Sequence, residues 1–163
     1  MFEEEQLENT PEAVFTRLVL LVFRLNGVLL AAGDRMAAPA GQTSARWQVM
    51  GVIDHGPLTV SAVGRTMGLR RQSVQRTADL LVADGVAEYV DNPADRRAKL
   101  LALTPSGRRA LRRIEQAQHV WASQNGEALG LEQLLETETA LEKLLAQLAG
   151  EAAITRAVSS SPG

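Results

Sequence analysis

Arg70, Arg71, Gln72, Ser73, Gln75 and Arg76 crowd hydrogen-bonding side chains into one short stretch, with no acid until Asp79. A guanidinium presents a planar fork of N–H groups that fits the guanine edge or a phosphate. A glutamine amide both donates and accepts, which fits adenine. Ser73 is short enough to lie against a nucleic-acid backbone. A merely solvated helix face would mix in glutamate and lysine. Further on, DNPADRRAKLLALT (residues 91–104) adds Arg96, Arg97 and Lys99 around a proline turn. Groups of this kind recognise a polyanion; they do not make or break bonds.

The charge distribution agrees. The net charge is −2, yet residues 61–113 hold 11 Lys/Arg against 5 Asp/Glu, and the rest of the chain holds 6 against 14. A basic middle between acidic ends suggests that the middle meets a polyanion, the alternative being a solvated basic face with no partner. The chain has 163 residues, 45% of them apolar and 22% charged, as expected for one soluble domain with helical extensions. It has no cysteine, which excludes disulfides, thiol redox sensing and Cys-ligated zinc. With His55 and His119 as the only histidines, no metal site is expected. No P-loop, Gly-rich dinucleotide turn or ordered Ser/His/Asp set appears, so neither an enzyme nor a cofactor is expected. The acidic start MFEEEQLENTPEA is no secretory signal, and the apolar run at 18–32, broken by Arg24 and Asn26, reads as too short for a bilayer. The expected location is cytoplasmic.

Helices and a hairpin must position these groups. Thr10-Pro11-Glu12 starts a helix that runs to about Ala32 or Met36, with Gly33 and Pro39 at its end. LVLLVF (18–23) is apolar nearly all round, so this helix is expected to pack against a second chain. Thr43 starts a helix with Trp47, Met50 and Ile53 on one face. Thr59 caps a short helix with Val60, Val63 and Met67 inward, ended by Gly68. A third helix, Arg71 to Asp84, turns Val74, Ala78 and Leu81 inward and its arginines outward. VAEYV (86–90) and KLLALT (99–104) then form a hairpin around Asn92-Pro93. Thr104-Pro105 caps a long helix to about Asn125-Gly126. A last helix spans Leu131 to Leu148, with leucines at 134, 135, 141, 144, 145 and 148.

Helix, short helix, helix and hairpin in that order describe a winged helix-turn-helix with the Arg71 helix as reader. Here the chain resembles the MarR family of bacterial transcription regulators over nearly its whole length. The family hallmark, Asp-x-Arg, five residues, then Leu-Thr, falls on Asp95, Arg97, Leu103 and Thr104. TVSAVGRTMGLRRQSVQRTADLLVADGVAEYVDNP looks like the family's helix-turn-helix leading into its wing.

The resemblance implies a fold that is mainly α with a small β-hairpin wing, its N- and C-terminal helices forming a dimerisation region. It divides the chain into a dimerisation helix (1–40), the DNA-binding domain (41–104), C-terminal dimerisation helices (105–150) and a flexible tail (151–163). It implies a homodimer on a pseudo-palindromic operator, acting as a repressor that a small aromatic or phenolic effector releases. Arg97 would lie in or near the minor groove, Asp95 would pair with an arginine to brace the loop, Arg96 would meet phosphate, and Lys99 would either do the same or be solvated. Arg17, Trp47, His55, His119 and Trp121 are the candidate effector-pocket residues. The alternative is a winged-helix protein–protein module without DNA binding, but such a scaffold should have lost its arginines on the reading helix and wing.

Overall fold

The computed structural model describes residues 9–159, with side chains to Gly150. The chain divides into two compact units, one ending at Gln118 and the other beginning at His119.

Helix α1 (Pro11–Ala37) begins where Thr10 Oγ1 accepts the Ala13 N–H at 3.3 Å. It ends at Ala37, at the later of the two expected stops. Gly33 is interior and buried because the start of the next helix lies against it: a Cβ there would stand 2.6 Å from Ser44 Oγ. This glycine therefore permits a close approach and does not end the helix. Asp34 Oδ1 accepts the Ser44 N–H at 2.7 Å, which ties the two helices together.

Most of α1 faces outward. Leu20, Leu21, Phe23 and Val28 are each more than half exposed. The stretch Pro11–Ala40 is long and apolar enough to cross a membrane by length and composition, with a mean hydropathy of 1.9 in its most apolar window, none of it buried. Residues 18–32 alone read as too short. The helix supplies the missing length with Val14 and Phe15 before them and Met36 and Ala37 after.

Helix α2 (Ser44–Asp54) is capped by Thr43, whose Oγ1 accepts the Arg46 N–H at 3.3 Å. A short strand β1 (Leu58–Thr59) leads into α3 (Val60–Met67), where Thr59 Oγ1 accepts the Ala62 N–H at 3.1 Å. Helix α4 spans Arg71–Ala83, and strands β2 (Ala87–Val90) and β3 (Leu100–Leu103) form the hairpin. The sheet has three strands in the order β1-β3-β2, all antiparallel. Leu101 pairs with Leu58 on one side and Tyr89 on the other. In the sequence the two-residue β1 reads only as the approach to a helix, since a run that short shows no alternation.

Period-2 alternation puts Leu101 and Leu103 inward. They meet Val49, Met50, Ile53, Val63, Val74, Ala78 and Leu81, so the inner stripes of α2, α3 and α4 close over the hairpin as one core. Trp47 is partly buried against it.

Helix α5 (Pro105–Leu129) buries Gly107, Leu111 and Ile114. Its first half, to Gln118, belongs to the first unit. Thr104 joins it to the wing. Its N–H donates to Val86 O at 3.1 Å, its hydroxyl lies 2.8 Å from Gly85 O, and its Oγ1 accepts the Gly107 N–H at 3.0 Å.

Helix α6 spans Leu131–Ser159, with Leu131, Leu135 and Leu145 more than half exposed. It continues beyond Leu148 into the segment expected to be a flexible tail. Glu151, Ala152, Ala153, Ile154 and Arg156 all favour helix, and the next breaker is Pro162. Residues 160–163 of that expected tail lie outside the described residues.

Candidate nucleic-acid interface

The turn between α3 and α4 redirects the chain into the helix that carries the arginines. Gly68 takes φ 65°, a left-handed conformation that glycine adopts without penalty, and the Leu69 N–H folds back onto Gly64 O at 2.9 Å. Arg70 is the next helix's N-cap, extended and making no side-chain capping bond. Its guanidinium is therefore not engaged by the helix end. Arg70, Arg71, Gln72, Ser73 and Arg76 are exposed, while Gln75 is half-buried.

The wing loop is built on its own side chains. Asn92 Oδ1 accepts the Ala94 N–H at 3.0 Å, and Asn92 Nδ2 donates to Ala98 O at 3.0 Å, so one amide spans the loop. Asp95 Oδ1 accepts the Arg97 backbone N–H at 2.9 Å. The expected partner of Asp95 is an arginine side chain. Instead it holds the backbone of Arg97, and among the described residues it forms no ion pair. A bond from a side chain to the backbone two residues on is an Asx turn, and it leaves the guanidinium outside the loop.

The two adjacent arginines serve different faces. Arg97 lines a cleft of about 230 Å³ together with Thr59, Ser61, Arg71, Gln75 and Tyr89. Arg96 lines a separate concavity with Asp91, Asn92 and Pro93. Lys99 borders both. The cleft therefore unites the reading helix, the wing and the start of α3, and Arg71, Arg97 and Lys99 give it three positive charges.

At its floor the Tyr89 hydroxyl lies 2.8 Å from Asp79 Oδ1, and Gln75 Nε2 lies 2.7 Å from the hydroxyl and 2.8 Å from the same carboxylate oxygen. Burial pushes the Tyr89 hydroxyl up to about 12, helped by its bond to Asp79 and that group's charge, and opposed by the bond from Gln75. Tyr89 keeps its proton across the neutral range.

The five expected effector residues are not gathered into one cavity in the first unit. His55 lines an apolar groove of about 460 Å³ with Gln48, Gly51, Val52, Leu58 and Met67, and neither Arg17 nor Trp47 borders it. Arg17 donates to Asn9 Oδ1 at 2.9 Å on α1, and Trp47 packs on the core. His119 and Trp121 belong to the second unit, His119 exposed and Trp121 half-buried. Among the described residues no group of three or more His, Asp or Glu side chains is placed to hold a metal ion.

The profile of the MarR family (MarR_2) matches residues 40–98, from the turn after α1 into the wing loop. The chain is 39% identical to protein Rv2011c of Mycobacterium tuberculosis (strain ATCC 25618 / H37Rv) over 135 residues, which is 83% of this chain and 94% of that one. Its fold is similar to the crystal structure of the MarR family transcription regulator SP03579 (TM-score 0.74, 21% identity, covering 92% of this chain and 97% of the other). It is also similar to a point mutant of MarR from E. coli complexed with operator DNA (TM-score 0.73, 22% identity, covering 84% and 99%). The chain belongs to the MarR family of transcription regulators.

Thr59, Ser61 and Tyr89 do not stand out as site residues in the sequence. Thr59 is recognisable there only as a cap. Tyr89 gives one usable signal: Gln75 and Asp79 stand four apart on one helix and so share a face, and a strand tyrosine is a partner that can reach both.

Proposed function

We propose that this chain acts as a homodimeric, sequence-specific double-stranded DNA-binding regulator, a repressor released by a small-molecule effector. The observation that carries the reading is the cleft that sets Arg71, Gln75, Arg97 and Lys99 on one DNA-facing surface. The reading helix suits the major groove, with Arg70, Arg71, Gln72, Ser73, Gln75 and Arg76 toward the DNA. Arg97, held in the loop by its backbone N–H alone, reaches the adjacent minor groove with its guanidinium, where narrow A·T segments attract such a group. Arg96 and Lys99 meet phosphate.

A second copy covers the outward leucines and phenylalanines of α1. A bilayer is the poorer cover, because Arg24 near the helix centre would cost about 2.5–3.5 kcal/mol there. A symmetric dimer then reads half-sites about 34–36 Å apart. The effector is a small aromatic or phenolic acid, and the groove beside His55 is the place to test first, since its walls are apolar and it carries one imidazole.

The test is binding of the purified chain to random-sequence duplex DNA as salt is raised. Each phosphate contact releases counterions, so log K should fall with log salt with a slope of about −0.9 per contact. A slope near zero refutes the reading and favours a protein–protein module.

A further inference from the structure

The cluster under the cleft has a consequence for which base Gln75 can read. A carboxylate only accepts hydrogen bonds, so the single Tyr89 proton goes to Asp79. The Tyr89 oxygen is then left as an acceptor toward Gln75. Gln75 must turn its NH₂ inward, with one N–H to Tyr89 and one to Asp79. Both donors of that amide are consumed, and Oε1 is its one group without a hydrogen bond among the described residues. A glutamine in this state cannot make the two-point contact with adenine N6 and N7, which needs a free N–H beside the oxygen. It also cannot donate to guanine N7 or O6.

We propose that Tyr89 and Asp79 are positioning residues for sequence specificity: by occupying both N–H groups of Gln75 they make it an acceptor-only reader, selecting a base that offers an exocyclic amine in the major groove and rejecting guanine. Cytosine N4 and adenine N6 both qualify, so one position in each half-site tolerates both. This rests on the DNA-binding reading above.

The experiment is selection of bound sequences from random duplex DNA with the full chain, comparing wild type with Tyr89→Phe, Asp79→Ala, Gln75→Ala and Gln75→Ala/Tyr89→Phe. The quantity read is base preference at one position relative to the other positions of the same site. Wild type should accept C and A there and exclude G. Tyr89→Phe frees one N–H and keeps the ring, so adenine should gain about tenfold over cytosine at that position alone. Asp79→Ala frees an N–H and also leaves the Tyr89 proton without its acceptor, so the Gln75 amide regains a donor toward the DNA and the exclusion of guanine should relax; a folding defect in one variant therefore does not decide the matter. Gln75→Ala should flatten the position, and the double variant should match it.

A preference that stays as in wild type in both Tyr89→Phe and Asp79→Ala would overturn the proposal, as would a loss spread evenly over all positions, the mark of a purely structural role. If wild type enriches no sequence at all, the DNA-binding reading fails and this proposal with it. An enriched wild-type site that the variants leave unchanged defeats the proposal alone.

Discussion

Replacing Gly107 with alanine should destabilise the protein, although the same change in most helix interiors stabilises by about 0.5–1 kcal/mol. An added Cβ would stand 2.0 Å from Val86 O and 3.0 Å from Val86 C. Ordinary contact begins near 3.4 Å, so the first turn of α5 and the backbone at Val86, just before β2, must part by about 1.4 Å. That separation breaks the Thr104 N–H bond to Val86 O and strains the hydroxyl bond to Gly85 O. Two such bonds are worth about 1 kcal/mol each. Lifting Leu111 and Ile114 partly out of contact adds about 2 kcal/mol. With the helix-propensity gain set against these losses, the net cost is about 3 kcal/mol.

Gly51 in α2 provides the opposite sign, because nothing lies within 4 Å of the Cβ it would gain. Gly51→Ala should be neutral or raise stability by up to about 1 kcal/mol. The assay is urea unfolding of both variants at one fixed protein concentration, since the stability of the proposed dimer would depend on it. Gly107→Ala should lower the midpoint by about 1–3 M. If Gly107→Ala unfolds at or above the wild-type midpoint, or the two variants shift in the same direction, the reasoning from close approach fails.

Arg97→Ala should weaken binding to the selected operator by about 1–3 kcal/mol in a gel shift while leaving the dimer intact in sedimentation; unchanged affinity refutes the wing assignment. Phe23→Glu on α1 should shift the sedimenting species toward monomer, because it sets a carboxylate on a side chain that is 69% exposed in the single chain; an unaltered dimer places the interface elsewhere. Tyr89 is the chain's one tyrosine, so tyrosinate absorbance reports it alone. The native protein should titrate near 12 and the denatured chain near 10. Because the folded state holds this proton more tightly, the associated stability is intact below pH 10 and is lost as pH rises toward 12. Tyr89→Phe should lack that loss, and a native midpoint near 10 contradicts the partial burial of Tyr89 and its hydrogen bond to Asp79.

Features whose cause is local are the ones legible in the sequence. Thr10, Thr43, Thr59 and Thr104 each cap a helix through a bond three residues long, and a local bond leaves a local signature. The inner stripes of α2, α3 and α4 are legible for the same reason, since one helical period writes them. Gly33 reads wrongly as a helix stop because the residue that crowds it, Ser44, arrives from the next helix. The Asp95 bond goes to a backbone N–H, a partner that no residue type announces. Gln75 reads as a free amide because Tyr89, which helps consume its donors, comes from a strand whose register is set by β3.

The four helix caps also have an electrostatic consequence. Aspartate would cap these helices as well as threonine does. Threonine caps with a neutral hydroxyl, so no formal negative charge is added at the helix start. At Thr59 this matters most, because that residue also lines the cleft beside Arg71 and Arg97. There the partial positive end of α3 stays unmasked and adds to the attraction for phosphate. The side chain that starts the helix thus meets two demands at once, closing a backbone bond and leaving the local potential positive for an approaching polyanion.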